Sequence, residues 1–178
     1  MRNLTFIILG SLVITSCNLS KNEDQNDPEK IKSEKAKTIK DSLKVPAFEI
    51  DLNLSEKAEE KLKNDNETVI IQVEFIGYPE KKILENKKYE IYDENGELTI
   101  GYKKVELKTE RNVKFDNCNV AKDLFELLKD KTYDVRITTI SGRKSSEDNL
   151  LDCNFLQEDI QNVKGKKFVI NGKLIYGE

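Results

Sequence analysis

No histidine occurs among the 178 residues, and that absence limits the chemistry open to the chain. Ser-His-Asp and Cys-His nucleophile systems are ruled out, and with them most zinc sites. Proton transfer would fall to carboxylates, Lys, Tyr or Arg. One acidic grouping open to such a reading is Asp93-Glu94 with Glu97, around Asn95-Gly96. Calcium needs oxygen ligands converging at defined positions, and glycoside hydrolysis needs two facing carboxyls. Acidic residues in a hairpin turn are routine, so neither metal nor cofactor is expected and the chain reads as a non-enzyme. A carboxylate-based hydrolase is the alternative from a different class.

The polar stretch Ser141 to Asn149 is the other concentration of chemical groups. Gly142 lets the backbone turn, Arg143 and Lys144 add positive charge, and Ser145 and Ser146 add hydroxyls. Such a group can hold a phosphate or carboxylate, because guanidinium binds either in bidentate fashion. It can equally be a solvated connection in which Ser145 or Ser146 caps a turn and Asp148 pairs with a cation. Arg143, Lys144, Ser145 and Ser146 are therefore the candidate ligand or partner loop. Tyr78, Tyr89, Tyr92 and Tyr102 form a second candidate face, although strand aromatics more often support packing.

The elements that must position these groups are mostly strands. Phe48, Ile50, Leu52 and Leu54 alternate with polar residues, the mark of a half-buried strand. Ser55 is placed to cap a short helix over 56–63. Val69, Ile71, Val73 and Phe75 predict a central strand, ended at Gly77-Tyr78-Pro79, with a charged loop following over 80–87. Tyr89, Ile91, Asn95-Gly96, Leu98, Ile100 and Tyr102 predict a hairpin, with Gly101 marking a bulge. Val105 with Leu107, and Val113 with Phe115, suggest further strands. Val120, Leu124, Leu127 and Leu128 have helical spacing, with Asn119 as cap. Strand alternation returns over 132–142, 150–156 and 166–176. The expected fold is mainly β: an antiparallel β-sandwich, immunoglobulin-like or transthyretin-like, with two short helices.

The N-terminus differs in character. Met1-Arg2-Asn3 precedes an apolar run from Leu4 to Ile14, the layout of a secretory signal peptide and too short for a stable membrane span of about 20 residues. Ile14-Thr15-Ser16-Cys17 resembles the lipobox of bacterial lipoproteins. The resemblance implies acyl chains on the Cys17 thiol, cleavage before it, and a membrane anchor in the cell envelope. Several chains are needed because one anchors only marginally, each buried methylene contributing about 0.8 kcal/mol.

Residues 18–46 are rich in Lys, Glu, Asp, Asn and Ser, and lack the apolar surface to offset ordering entropy. The division expected is thus 1–16 signal, 17–46 lipidated cysteine and tether, and 47–178 a single β-sandwich domain. Lys21, Glu23 and Asp24 resemble an interrupted form of the export signal of Bacteroidota surface lipoproteins. Asp41-Ser42-Leu43 is similar to that phylum's O-glycosylation acceptor, with Ser42 the modified residue. The body resembles short secreted bacterial proteins without assigned activity, which implies no reaction. In size and layout alone it is also similar to the outer-membrane lipoprotein of type VI secretion systems.

With Cys17 lipidated, Cys118 and Cys153 remain, and an even remainder outside the cytoplasm reads as a disulfide. Two buried thiols acting as small hydrophobes are the alternative. A net charge of -3 gives no basic field for nucleic acid. The expected role is a non-enzymatic binding or structural module on the outer membrane, facing periplasm or medium. Its partners would be the membrane, through the anchor, and an envelope protein or glycan. An inhibitor or immunity protein against an envelope toxin or hydrolase is the nearest alternative.

Overall fold

A computed structural model describes residues 41–85 and 93–177. Cys17, the signal and tether up to residue 40, Tyr89, Ile91 and Tyr92 lie outside the described residues. Among the described residues there are ten strands: β1 (Ser42–Lys44), β2 (Phe48–Leu54), β3 (Val69–Gly77), β4 (Leu98–Leu107), β5 (Asn112–Phe115), β6 (Asn119–Ala121), β7 (Asp134–Ser141), β8 (Leu151–Cys153), β9 (Leu156–Asp159) and β10 (Lys167–Leu174). Three helices interrupt them: α1 (Glu56–Asn64), α2 (Lys81–Leu84) and α3 (Lys122–Phe125), the last two a single turn each.

The strands form two four-stranded sheets, ordered β5-β2-β10-β8 and β4-β3-β7-β9, and a small β1-β6 ladder. The architecture is a mainly β sandwich with short helices, as the alternation predicts. All pairings are antiparallel except β2 with β10, which run parallel from Glu49–Lys167 to Leu54–Gly172. The last strand therefore lies beside one of the first. Inward-facing residues of both sheets make one core: Phe48, Ile50 and Ile170 from one, Val69, Ile71, Val73, Phe75, Val135 and Ile137 from the other. Phe48 stacks on Phe115 at 5.0 Å between ring centroids and meets Phe168 edge-on at 6.2 Å, tying β2 to both of its neighbours.

The local signals for α1 hold. Ser55 Oγ accepts from Ala58 N at 3.2 Å, and Ala58 and Leu62 face the core. Arg111 clamps the helix from outside, donating through Nε and Nη2 to the two Glu59 carboxylate oxygens, each at 2.7 Å. Gly101 does sit at a bulge. The β3–β4 register shifts there, Phe75 opposing Gly101 and Ile76 opposing Thr99. A Cβ on Gly101 would lie 2.8 Å from the Asn119 carbonyl oxygen, so glycine allows β6 to approach β4.

Four expectations are corrected. The domain starts before residue 47: Ser42–Lys44 pair with Asn119–Ala121, Val45 is buried, and Val45 N donates to Cys118 O at 2.9 Å. Ser42 is accordingly an exposed strand residue of the domain. The helix expected from Asn119 shrinks to Lys122–Phe125, because β1 claims the backbone of Asn119–Ala121. The segment after Pro79 is a helical turn, not a plain loop, with Ile83 buried. Lastly, Cys118 and Cys153 are free thiols. Cys118 lies between β5 and β6 and Cys153 ends β8; β5 and β8 are the two opposite edges of one sheet, three strand spacings or about 14 Å apart. A disulfide needs Cα atoms within about 7 Å. Burial pushes both thiols up, Cys153 to about 11 with help from Asp152, which keeps them protonated and unreactive.

Non-reducing peptide mapping should therefore recover Cys118 and Cys153 as separate thiol peptides, alkylated quickly only after denaturation. A crosslinked 118–153 peptide would contradict this placement.

Candidate functional site

The polar loop joining β7 to β8 is built around Glu67, which lies 77 and 78 positions before the Lys144 and Ser145 that hold it. α1 ends on Asp65, and Asn66 takes the left-handed conformation with φ 52°, which Asn tolerates better than most residues. The turn directs Glu67 inward, where it is only 3% exposed. An uncompensated carboxylate there would cost several kcal/mol. Every partner is supplied instead. Thr68 N donates to Oε1 at 2.8 Å, while Lys144 N, Ser145 N and Ser145 Oγ donate to Oε2 at 2.9, 2.8 and 2.7 Å.

Arg143 makes this possible. Its left-handed φ of 56° turns the successive Lys144 and Ser145 amides to one side, forming the concave pair of N–H groups that binds anions. The carboxylate these amides hold belongs to the chain itself, and the Arg143 guanidinium takes no part in holding it. Burial pushes Glu67 up. The hydrogen bonds from Ser145, Thr68 and Lys144 outweigh it and leave the carboxyl below the ordinary 4.5.

Further ties leave the loop little freedom. Gly142 N donates to Thr68 O at 2.7 Å, and a Cβ at Gly142 would come 1.8 Å from Thr68 Oγ1. Thr68 Oγ1 donates to Glu106 at 2.8 Å, and Lys144 Nζ pairs with the same carboxylate at 2.7 Å. At the other end Asn149 Oδ1 accepts from Ser141 N at 2.8 Å and Leu151 N at 3.1 Å, and Leu150 N donates to the buried Ser141 Oγ at 2.9 Å. Ser146 Oγ accepts from Asp148 N at 3.1 Å, the turn-capping role open to it from the sequence.

The four candidate residues thus divide. Lys144 and Ser145 spend their amides and side chains on Glu67 and Glu106. Ser146 holds the turn. Arg143 projects outward, exposed, and among the described residues no carboxylate pairs with it. Glu147 and Asp148 are exposed beside it. Sequence reasoning missed Glu67, which reads locally as the polar start of the strand stretch that runs on through Val69 to Phe75.

The acidic hairpin is occupied differently. Asp93 Oδ1 accepts from Asn95 N and Glu97 N, both at 2.9 Å, and Gly96 supplies the positive φ of 77°. Glu94 is exposed. Glu97 leaves the group, accepting from Arg136 Nη2 at 2.6 Å and Tyr78 OH at 3.1 Å. The three acids do not converge on a common point, and among the described residues no cluster of three or more Cys, Asp or Glu could hold a metal ion. Tyr78 and Tyr102 are each about half exposed, at 54% and 51%. The chain matches no family model, no curated protein and no solved structure.

Glu67→Gln should be a costly change, because the new amide group would point donors at donors. A loss of about 2–4 kcal/mol in denaturant unfolding is expected; a loss below about 0.5 kcal/mol would contradict the clamp. The folded carboxyl is the more acidic one, so its stabilisation is complete above the unfolded value of about 4.3 and fades as pH falls through the folded value. Glu67→Gln should flatten that acid limb of the stability profile.

Proposed function

We propose that the chain is a lipid-anchored, non-enzymatic binding module of the bacterial cell envelope. Acyl chains on Cys17 hold it at the outer membrane, the charged segment that follows gives reach, and the domain presents its β7–β8 loop to an envelope partner. The loop carries this reading. A turn whose shape is fixed before contact, with Arg143 exposed on it and paired with no carboxylate among the described residues, loses little conformational entropy on binding. Arginine is also the side chain best suited to a partner's carboxylate or phosphate.

The lipobox-like Ile14-Thr15-Ser16-Cys17 supports the location. The internal use of Glu97 and Asp93 supports a binding rather than hydrolytic role, since carboxylates held by an arginine or by their own turn are poorly placed to face each other across a substrate. A preformed loop on a small stable scaffold is also what an inhibitor of an envelope toxin or hydrolase requires. That second reading shares the same contact residue.

Metabolic labelling with an alkyne fatty acid should mark the wild-type chain and not Cys17→Ala, which should leave the membrane fraction. Anchored protein used to capture partners from its native envelope should lose at least tenfold of the recovered partner on Arg143→Glu, with unchanged thermal stability. A mature chain with a bare Cys17 thiol, or capture indifferent to Arg143, would overturn the reading.

A further inference from the structure

The outer face of the β5-β2-β10-β8 sheet carries a second constellation, distant in sequence from the loop. Strand alternation puts Val169, Asn171 and Lys173 of β10 outward, while Ile170 and Leu174 are buried. The neighbouring strands bring matching residues alongside. Asn53 lies beside Asn171 in the parallel register, Asp152 faces Lys173 in the antiparallel one, and Asn154 N donates to Asn171 O at 2.9 Å. Three amides thus form one row, on β2, on β10 and just after β8, above a lysine–aspartate row.

The side chains in this row hold one another in place. Asn53 Nδ2 donates to Asn171 Oδ1 at 2.7 Å, and Asn171 N donates to Asn154 Oδ1. That leaves Asn53 Oδ1 as an acceptor and the Nδ2 groups of Asn154 and Asn171 as donors, for which no partner is found among the described residues. An open depression of about 340 Å³ lies here, lined by Asp152, Asn154, Asn171, Gly172 and Lys173. Its volume falls at the lower end of the roughly 300–1,000 Å³ of ligand sites. Exposed apolar groups neighbour these residues along the chain: Val169 and Ile175 two positions either side of Asn171 and Lys173, and Phe155 after Asn154, at 49%, 41% and 59% exposure.

We propose that this depression binds a neutral saccharide. The lining charges cancel, Asp152 against Lys173, which disfavours a strongly anionic or cationic ligand. Fixed amides offer both donors and acceptors, as vicinal hydroxyls require, since each hydroxyl both donates and accepts. The flanking valine, isoleucine and phenylalanine offer apolar surface to the C–H faces of a sugar ring. Asn171 is central, because its side chain is positioned by Asn53 and its backbone by Asn154. The site is independent of Arg143 and of the anchor.

The test uses the lipidated chain in zwitterionic, sugar-free micelles, titrated with glucose, galactose, N-acetylglucosamine and glucuronate while the Asn side-chain amide resonances are followed. At about 10 mM sugar, ten times a weak Kd of about 1 mM, at least one neutral sugar should shift the Asn154 and Asn171 amides saturably. Asn171→Ala should weaken that binding at least fivefold and Arg143→Glu should leave it unchanged. If Asn171→Ala proves unfolded, Lys173→Ala on the same floor is read in its place, with the same fivefold loss expected. No shift with any neutral sugar, binding of glucuronate alone, or binding indifferent to these substitutions would overturn the assignment. Loss of Arg143-dependent partner capture would leave it standing.

Discussion

A buried negative charge tolerates little freedom in its surroundings, and Glu67 is such a charge. Four donors must stay within hydrogen-bonding distance or the cost of desolvation is no longer offset. Three of them come from Lys144 and Ser145, on a connection with no regular secondary structure of its own. The requirement therefore runs from the end of α1, through Thr68 just before β3, to the shape of a loop that lies far away in sequence. Polar connections are usually the mobile parts of a domain. This one is held by the same kind of interaction that fixes a core polar network.

The sandwich supplies the frame on which that clamp acts. β3 pairs with the whole length of β7, from Val69–Ser141 to Ile76–Asp134, so Glu67 and the loop emerge from adjoining ends of neighbouring strands. The parallel β2–β10 pair plays the matching role in the opposite sheet, drawing Asn53 and Asn171 into one row. Each polar constellation follows from strand register, and each sits on a scaffold whose inward faces are closed by Val, Ile and Phe. Arg111 on Glu59 and Arg136 on Glu97 pin outlying segments to this frame.

Much of the fold was legible because its code is local. Alternation at Phe48–Leu54 and Val69–Phe75, the Ser55 cap and the glycine at the Gly101 bulge each report on a few neighbouring residues. The failures have a common cause. Asn119-Val120-Ala121 opens a run with helical spacing, yet it pairs with Ser42–Lys44, a strand recruited from a segment whose composition reads as tether. An even count leaves a disulfide and two free thiols both open, and only strand order tells them apart: Cys153 ends β8 while Cys118 lies beyond β5, the opposite edge strand of that sheet. The cations and hydroxyls of the 141–149 loop read as groups for a ligand, whereas the Lys144 and Ser145 amides and the Ser145 hydroxyl are spent on a carboxylate of the chain itself. Which anion the loop holds was not readable, because Glu67 acquires its partners only through the β3–β7 register.

Hydrogen exchange at single amides tests the clamp most directly. Lys144 and Ser145 lie in an exposed loop, and their N–H groups should nevertheless exchange far more slowly than those of Glu147, in step with the strands β3 and β7. Exchange of both at the rate of an unprotected loop would mean that the carboxylate does not hold them, and the preformed binding surface would go with it.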